Sequence, residues 1–156
     1  NDYRNFSEDL HQNSTILTGG KVLTEGDFAK GYFCAPTLAL DLPANHPLWQ
    51  REMFVPITTL ARVKSLDEAM RRANDVAYGL TAGFYGSEEE TDWFFENIAA
   101  GVTYANRPQG ATTGAWPGFQ PFGGWKGSGA SGKNAGGEYY LPLYMHEQIR
   151  TLVKHA

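Results

Sequence analysis

Residues 65–105 read SLDEAMRRANDVAYGLTAGFYGSEEETDWFFENIAAGVTYA, and their pattern decides the fold class. Ser65 followed three residues later by Glu68 is a capping box, which marks a helix start. Leu66, Ala69, Met70, Ala73, Val76 and Ala77 then fall on one helical face, and Gly79 predicts the stop. Residues 80–85 read as a short strand. Ser87 and Glu90 form a second capping box, and Glu88, Glu89 and Glu90 suit the positive end of a helix dipole. Trp93, Phe94 and Ile98 supply the face to be buried, with Gly101 as the stop. Residues 102–105, Val-Thr-Tyr-Ala, read as another strand. Upstream, residues 54–63 carry Val55, Ile57, Thr58, Thr59, Leu60 and Val63, again a strand pattern. The order β-α-β-α-β predicts an α/β fold, a parallel open sheet with flanking helices. In such sheets ligands sit beyond the carboxyl ends of the strands. Two loops leave such ends, after Tyr85 and after Ala105.

Further upstream the signals are shorter. Tyr3, Phe6 and Leu10 make a helical stripe over residues 2–12. Residues 15–18 read as a strand stopped by Gly19-Gly20, residues 37–40 as a second extended run, and residues 44–53 as a loop.

Composition narrows the function classes. The chain has 156 residues and a formal charge of −4, with no basic stripe, so nucleic acid and anionic membranes are not expected partners. No apolar run approaches the roughly 18 residues of a membrane span. Cys34 has no second cysteine to pair with, which fits a reducing, cytoplasmic location. The chain starts at Asn1, which suggests a piece of a longer protein.

The loop after Ala105 runs into GFQPFGGWKGSGASGKNAGG, residues 118–137, which holds eight glycines. A flexible linker would not carry Phe119, Phe122 and Trp125 among them. Gly127 to Gly132 satisfies GxGxxG, and with Lys133 also GxxxxGK. Asn134 stands where a P-loop needs Ser or Thr, and Pro121 stands where an apolar strand should precede. No acidic residue stands about 20 positions downstream to take a ribose. The glycines therefore predict a folded, pocket-shaping loop.

No catalytic constellation is complete within the chain. Cys34 lies among apolar neighbours with no His or Lys close in sequence, which predicts a buried, inert thiol. His146-Glu147-Gln148-Ile149-Arg150 starts like the zinc motif HExxH but ends in Arg, so no metal site is expected. Two places carry candidate binding residues. One is Glu52-Met53-Phe54, ahead of a strand. The other is Thr112-Thr113-Gly114-Ala115, with Phe119 and Phe122 beyond it. There backbone N–H groups could hold a carboxylate or phosphate, and aromatic rings could wall a small ligand. For each the alternative is plain surface.

The GYFxxPT segment at 31–37, Glu52-Met53-Phe54-Val55-Pro56, residues 74–80 in the place of AN-x-x-x-YGL, and Pro121-Phe122-Gly123-Gly124-Trp125-Lys126-Gly127-Ser128-Gly129 follow one another in an order that resembles the C-terminal part of the aldehyde dehydrogenase superfamily. Thr113-Gly114-Ala115, Gln120 and Lys133-Asn134-Ala135-Gly136-Gly137 with Tyr140-Leu141 resemble its 1-pyrroline-5-carboxylate (glutamate-γ-semialdehyde) dehydrogenase branch. The resemblance implies NAD or NADP as cofactor, a small-molecule aldehyde as substrate, and a role in proline catabolism. It implies that Glu52 bonds the nicotinamide-ribose hydroxyls and Phe54 lies against the nicotinamide end. Gly114 and Ala115 would offer N–H groups to the substrate carboxylate, and Phe122 would wall the aldehyde pocket. Residues 1–145 would be the C-terminal portion of the catalytic domain. Residues 146–156 would be an oligomerisation tail carrying a strand at 148–155 and forming a homo-oligomer. The nucleophilic cysteine, the glutamate base and the dinucleotide-binding domain would precede Asn1, so the chain holds no catalytic residue and is inactive alone. The sequence departs from the family at Val55, where glycine is usual, and in a longer loop at 108–112. Two other readings stay open, a non-catalytic assembly module of the same fold and a small nucleotide-binding domain using the glycine loop.

Overall fold

The computed structural model describes residues 1–108, 120–129 and 135–154. The chain forms two units, Asn1–Ala69 and Met70–Ala156.

The first unit begins with helix α1 (Asp2–Asn13), whose stripe of Tyr3, Phe6 and Leu10 is buried as its spacing predicts. Strand β1 (Thr15–Thr18) follows, then the short pair β2 (Val22–Leu23) and β3 (Phe33–Cys34), then β4 (Thr37–Leu40) and β5 (Ile57–Leu60). The sheet order is β1-β4-β5, with β1 antiparallel and β5 parallel to β4. Phe6, Leu10, Ala39, Leu42 and Leu48 form the core of this unit. Phe6 and each of the three leucines contribute roughly 1.5–3 kcal/mol by leaving water.

A polar network fixes the start of β4. The Tyr3 hydroxyl donates to the Ala35 carbonyl at 2.8 Å and lies 2.7 Å from the Thr37 hydroxyl. Thr37 Oγ1 in turn accepts the Gly20 N–H at 2.8 Å. Gly19 and Gly20 both have positive φ, +80° and +70°, which lets the chain leave β1 abruptly.

The second unit holds β6 (Tyr78–Gly79), β7 (Thr81–Phe84), α3 (Glu88–Asn97), β8 (Val102–Ala105) and β9 (Trp125–Lys126); helix α2 (Leu66–Asn74) runs into it from the first unit. β7 and β8 are parallel and are joined through α3, a β-α-β unit. Phe94, Ile98 and Ala100 form its core, with Met70, Ala82, Phe84 and Trp93 packed on them. The Phe84 and Phe94 rings stack at 5.1 Å.

The α/β class is as expected, but the sheet differs from a single parallel one. β5 pairs with β4 in the first unit rather than with β7, and β1 and β6 each have an antiparallel neighbour. The β4–β5 crossover, residues 41–56, has only a 3₁₀ turn at Pro47–Trp49 in place of a helix. Three boundaries also move. The strand expected at 54–63 narrows to β5, and at its start Phe54 adopts the left-handed region (φ 51°), which no strand accommodates. Helix α2 stops at Asn74, short of Ala77. There the Lys126 ammonium donates to the carbonyls of Asn74 (2.8 Å) and Val76 (3.3 Å), taking up carbonyls that a longer helix would use. The strand expected at 148–155 is not formed over the described residues 148–154, since a strand requires a ladder partner and none lies beside it among the described residues.

Gly79 and Gly101 stand where the sequence leads one to expect helix stops. The structure gives them another task. A Cβ on Gly79 would stand 2.5 Å from the Ala99 carbonyl oxygen, and one on Gly101 would run into the Gly123 carbonyl. Both are places where backbone meets backbone.

Candidate functional site

The Glu52–Pro56 segment is built by alternation. Met53 and Val55 pack against the first core cluster, so Glu52 and Phe54 point outward. Pro56 accepts a hydrogen bond from the Thr37 N–H at 2.9 Å, which pins the segment to the start of β4. Phe54 is 90% exposed. Its φ of 51° is unusual for a bulky residue and costs roughly 1–2 kcal/mol. Neither burial nor propensity repays an exposed aromatic ring on strained backbone, and such strain concentrates at functional sites. Glu52 is likewise exposed, with both carboxylate oxygens available as acceptors.

Phe122 lies in the second unit. Its N–H donates to the Ala135 carbonyl at 2.8 Å, and the ring is partly exposed. The glycines that follow serve close approach. Gly124 faces the Gly79 carbonyl, where a Cβ would stand 2.8 Å away, and Gly129 folds back on Gly124. Gly79 N–H donates to Ser128 Oγ at 3.2 Å, and Gly127 N–H to the Ala77 carbonyl at 2.9 Å. The first half of the GxGxxG match is thus a turn after the two-residue antiparallel strand β9, not the strand-to-helix junction of a dinucleotide site. Gly114 and Ala115, with Thr112, Thr113 and Phe119, lie outside the described residues. Glu52 and Phe54 belong to one unit and Phe122 to the other.

Cys34 sits on β3 opposite Val22 and is half-buried rather than buried, because a two-residue strand pair offers little cover. Among the described residues no group of three His, Cys, Asp or Glu side chains could hold a metal ion. No described helix is long and apolar enough to cross a membrane.

The structure also gives several residues roles that the sequence does not display. Asn106, just past β8 with φ 50°, donates through Nδ2 to the Gly86 carbonyl (2.9 Å) and accepts the Gly86 N–H through Oδ1 (3.0 Å). The Tyr85 hydroxyl donates to the Arg107 carbonyl at 2.7 Å. The two loops at the carboxyl ends of β7 and β8 are therefore tied to each other. Asn74 does the same for the end of α3, bonding the Asn97 carbonyl and the Ala99 N–H, both at 2.8 Å. An asparagine directly after a strand or at a helix end is the available signal, because its amide mimics a backbone group.

Comparison with known proteins gives a consistent result. The model of the "Aldehyde dehydrogenase family" matches residues 3–149. A 1-pyrroline-5-carboxylate dehydrogenase of Bacillus licheniformis is 38% identical over 153 residues, 97% of this chain and 28% of that protein. A Thermus 1-pyrroline-5-carboxylate dehydrogenase, solved with bound NAD, superposes with a TM-score of 0.80 at 36% identity, over 92% of this chain and 26% of that one. Proline utilization A from Bdellovibrio bacteriovorus also superposes at 0.80, with 34% identity over 93% of this chain and 14% of that one. The chain thus spans about a quarter of the length of the dehydrogenases it matches. With a family match over almost its entire length, this chain belongs to the aldehyde dehydrogenase family.

Proposed function

We propose that this chain is the C-terminal portion of an NAD(P)-dependent aldehyde dehydrogenase that oxidises L-glutamate γ-semialdehyde, the open form of 1-pyrroline-5-carboxylate, to a carboxylate in proline catabolism. One observation carries the reading. Glu52 and Phe54 are held outward on a core-anchored, strained segment, in a chain similar over nearly its whole length to proteins named 1-pyrroline-5-carboxylate dehydrogenase.

The residues present fit the cofactor. A carboxylate with two open oxygens can accept both ribose hydroxyls of the nicotinamide nucleoside, and the exposed Phe54 face can stack on the planar ring. NAD(P), when bound, takes the hydride. Glu52 fixes the ribose, and Phe54 limits how the nicotinamide sits. Gly114 and Ala115 hold the substrate α-carboxylate through backbone N–H groups, and Phe122 walls the aldehyde. The nucleophilic cysteine and the general base lie in a preceding part of the protein, so Cys34 has no role in the chemistry and the chain alone is inactive. Residues 1–145 belong to the catalytic domain. Residues 146–156 are an oligomerisation tail, where Ile149 and Leu152 are 88% and 82% exposed.

The test is the full-length protein, assayed for nicotinamide reduction with a panel of aldehydes. Glutamate γ-semialdehyde should give the highest kcat/KM. A preference for an aldehyde lacking the α-carboxylate would sink the substrate assignment. The coding sequence should place a dinucleotide-binding domain and a cysteine before Asn1. A start codon immediately before Asn1, or the cysteine after residue 156, would overturn the placement and favour the assembly-module reading in the first case. Aldehyde oxidation by the isolated chain, abolished by Cys34→Ser, would overturn the assignment of no catalytic residue.

A further inference from the structure

We propose that His46 is a positioning residue for the cofactor segment Glu52–Phe54, an inference that rests on the roles given to Glu52 and Phe54 above. His46 caps the one-turn 3₁₀ segment Pro47–Trp49 that leads into Glu52. Its Nδ1 accepts the Leu48 N–H at 3.3 Å, and its Nε2 stands 3.2 Å from Asp9 Oδ1 on α1. An Nδ1 that accepts cannot carry the proton, so the hydrogen-bond pattern assigns the neutral tautomer with Nε2–H donating to Asp9. The His46 side chain is 14% exposed, so water replaces these two bonds poorly.

The same face of α1 meets the rest of the lead-in. Phe6 and Leu10 share the core cluster with Leu48, and the Arg51 guanidinium lies 4.8 Å from the centre of the Phe6 ring. Arg51 directly precedes Glu52. The His46 N–H and the Trp49 indole N–H both donate to the Pro43 carbonyl, at 2.9 and 2.8 Å. Apolar contact with α1 sets how deep the turn sits, but it is non-directional and does not set its rotation. Rotation of a single turn would swing Glu52 and Phe54 away from a ligand while leaving the core filled. The directional bonds at His46 remove that freedom, one to the turn's own backbone and one to a rigid helix.

The test uses the full-length enzyme with four single variants. His46→Asn retains a short acceptor for the Leu48 N–H but cannot reach Asp9. Asp9→Ala removes the other end. Asp9→Asn keeps an oxygen for the Nε2–H. Glu52→Gln controls for the underlying assignment. His46→Asn and Asp9→Ala should each weaken NAD(P) affinity, read as both KM and a direct binding titration, by about fivefold, the scale of one lost hydrogen bond. In both, kcat at saturating cofactor should stay within about twofold, since uniform binding is lost and not the chemical step. Asp9→Asn should restore near-parental affinity, and the double variant His46→Asn/Asp9→Ala should be no worse than either single one. Hydrogen exchange at the Trp49 and Gln50 amides, which bond the carbonyls of His46 and Pro47, should quicken in Asp9→Ala, a readout independent of turnover. If Glu52→Gln weakens cofactor binding while His46→Asn and Asp9→Ala do not, the positioning role is wrong and the Glu52 assignment stands. If Glu52→Gln changes nothing, the assignment itself is wrong and the positioning role falls with it. If Asp9→Ala does not fold, unchanged affinity in His46→Asn by itself overturns the proposal.

Discussion

Two regions carry family motifs, and they use them in opposite ways. Residues 52–56 pack every second side chain, the half-buried Met53 and Val55, against the core, so that Glu52 and Phe54 are held out to solvent. Residues 121–129 contribute backbone. Gly124 and Gly129 let the chain fold against the carbonyls of Gly79 and of Gly124 itself, and Gly101 meets the Gly123 carbonyl. The first region is a platform that displays side chains. The second is a knot of main chain, tied to Tyr78–Gly79 through β9. A motif residue can therefore matter through what it presents or through what it omits, and the two cases respond differently to mutation.

That contrast is most sharply broken in the knot. Gly101→Ala should destabilise the folded protein by about 3 kcal/mol or more, because the added methyl meets backbone that cannot turn aside. Equilibrium denaturation measures it, and a change under about 0.5 kcal/mol would show that the approach is loose.

The platform should behave in the reverse manner. Glu52→Gln in the full-length enzyme should raise the cofactor KM about tenfold, as expected for a lost charged hydrogen bond, with unfolding within about 0.5 kcal/mol of the parent. Phe54→Gly sharpens the point. Relief of left-handed strain should offset the entropy that glycine adds to the unfolded chain, leaving stability within about 1 kcal/mol while cofactor affinity falls. A large loss of stability in either variant would mean that the segment is structural.

A smaller effect tests the helix that feeds the knot. α3 ends just before Ala99 and Gly101, and its start is held by a reciprocal capping box between Ser87 and Glu90. Ser87→Ala should cost about 1 kcal/mol in thermal or chemical unfolding.

The smallest effect is the pH dependence of the same cap. The Ser87 backbone N–H, and secondly its side chain, hold the Glu90 carboxyl below its ordinary pKa. A carboxyl depressed in the folded state binds protons more weakly there than in the unfolded chain. Its contribution is present above the unfolded pKa, around 4.5, and is lost as pH falls through the lower folded value. The acid limb of the stability profile should therefore shrink in Glu90→Gln, and an unchanged limb would show that the carboxylate contributes nothing.

Much of the fold was legible in local pattern. α1 was marked by Tyr3, Phe6 and Leu10, and α3 by its capping box and Phe94, because both helices bury a stripe whose spacing the sequence displays. β7 and β8 were legible as the short runs left between the helix signals. α2 was only half legible. The Glu68 N–H does bond Ser65 Oγ (3.2 Å), but the Glu68 carboxylate reaches past Ser65 to the Lys64 N–H (2.9 Å), and the helix end depends on Lys126, far along the chain. Of the site, Glu52 and Phe54 were nameable from the motif, yet their outward display and the strain at Phe54 depend on what Met53 and Val55 find beneath them.

The sequence by itself determined the α/β class, the helix starts and the motif order, since propensity, capping and periodicity act over a few residues. Tertiary structure alone decided that β5 joins β4, that Gly79 and Gly101 serve contact rather than capping, and that His46 meets Asp9. Those outcomes depend on which distant backbone or side chain arrives alongside, and no local pattern carries that information.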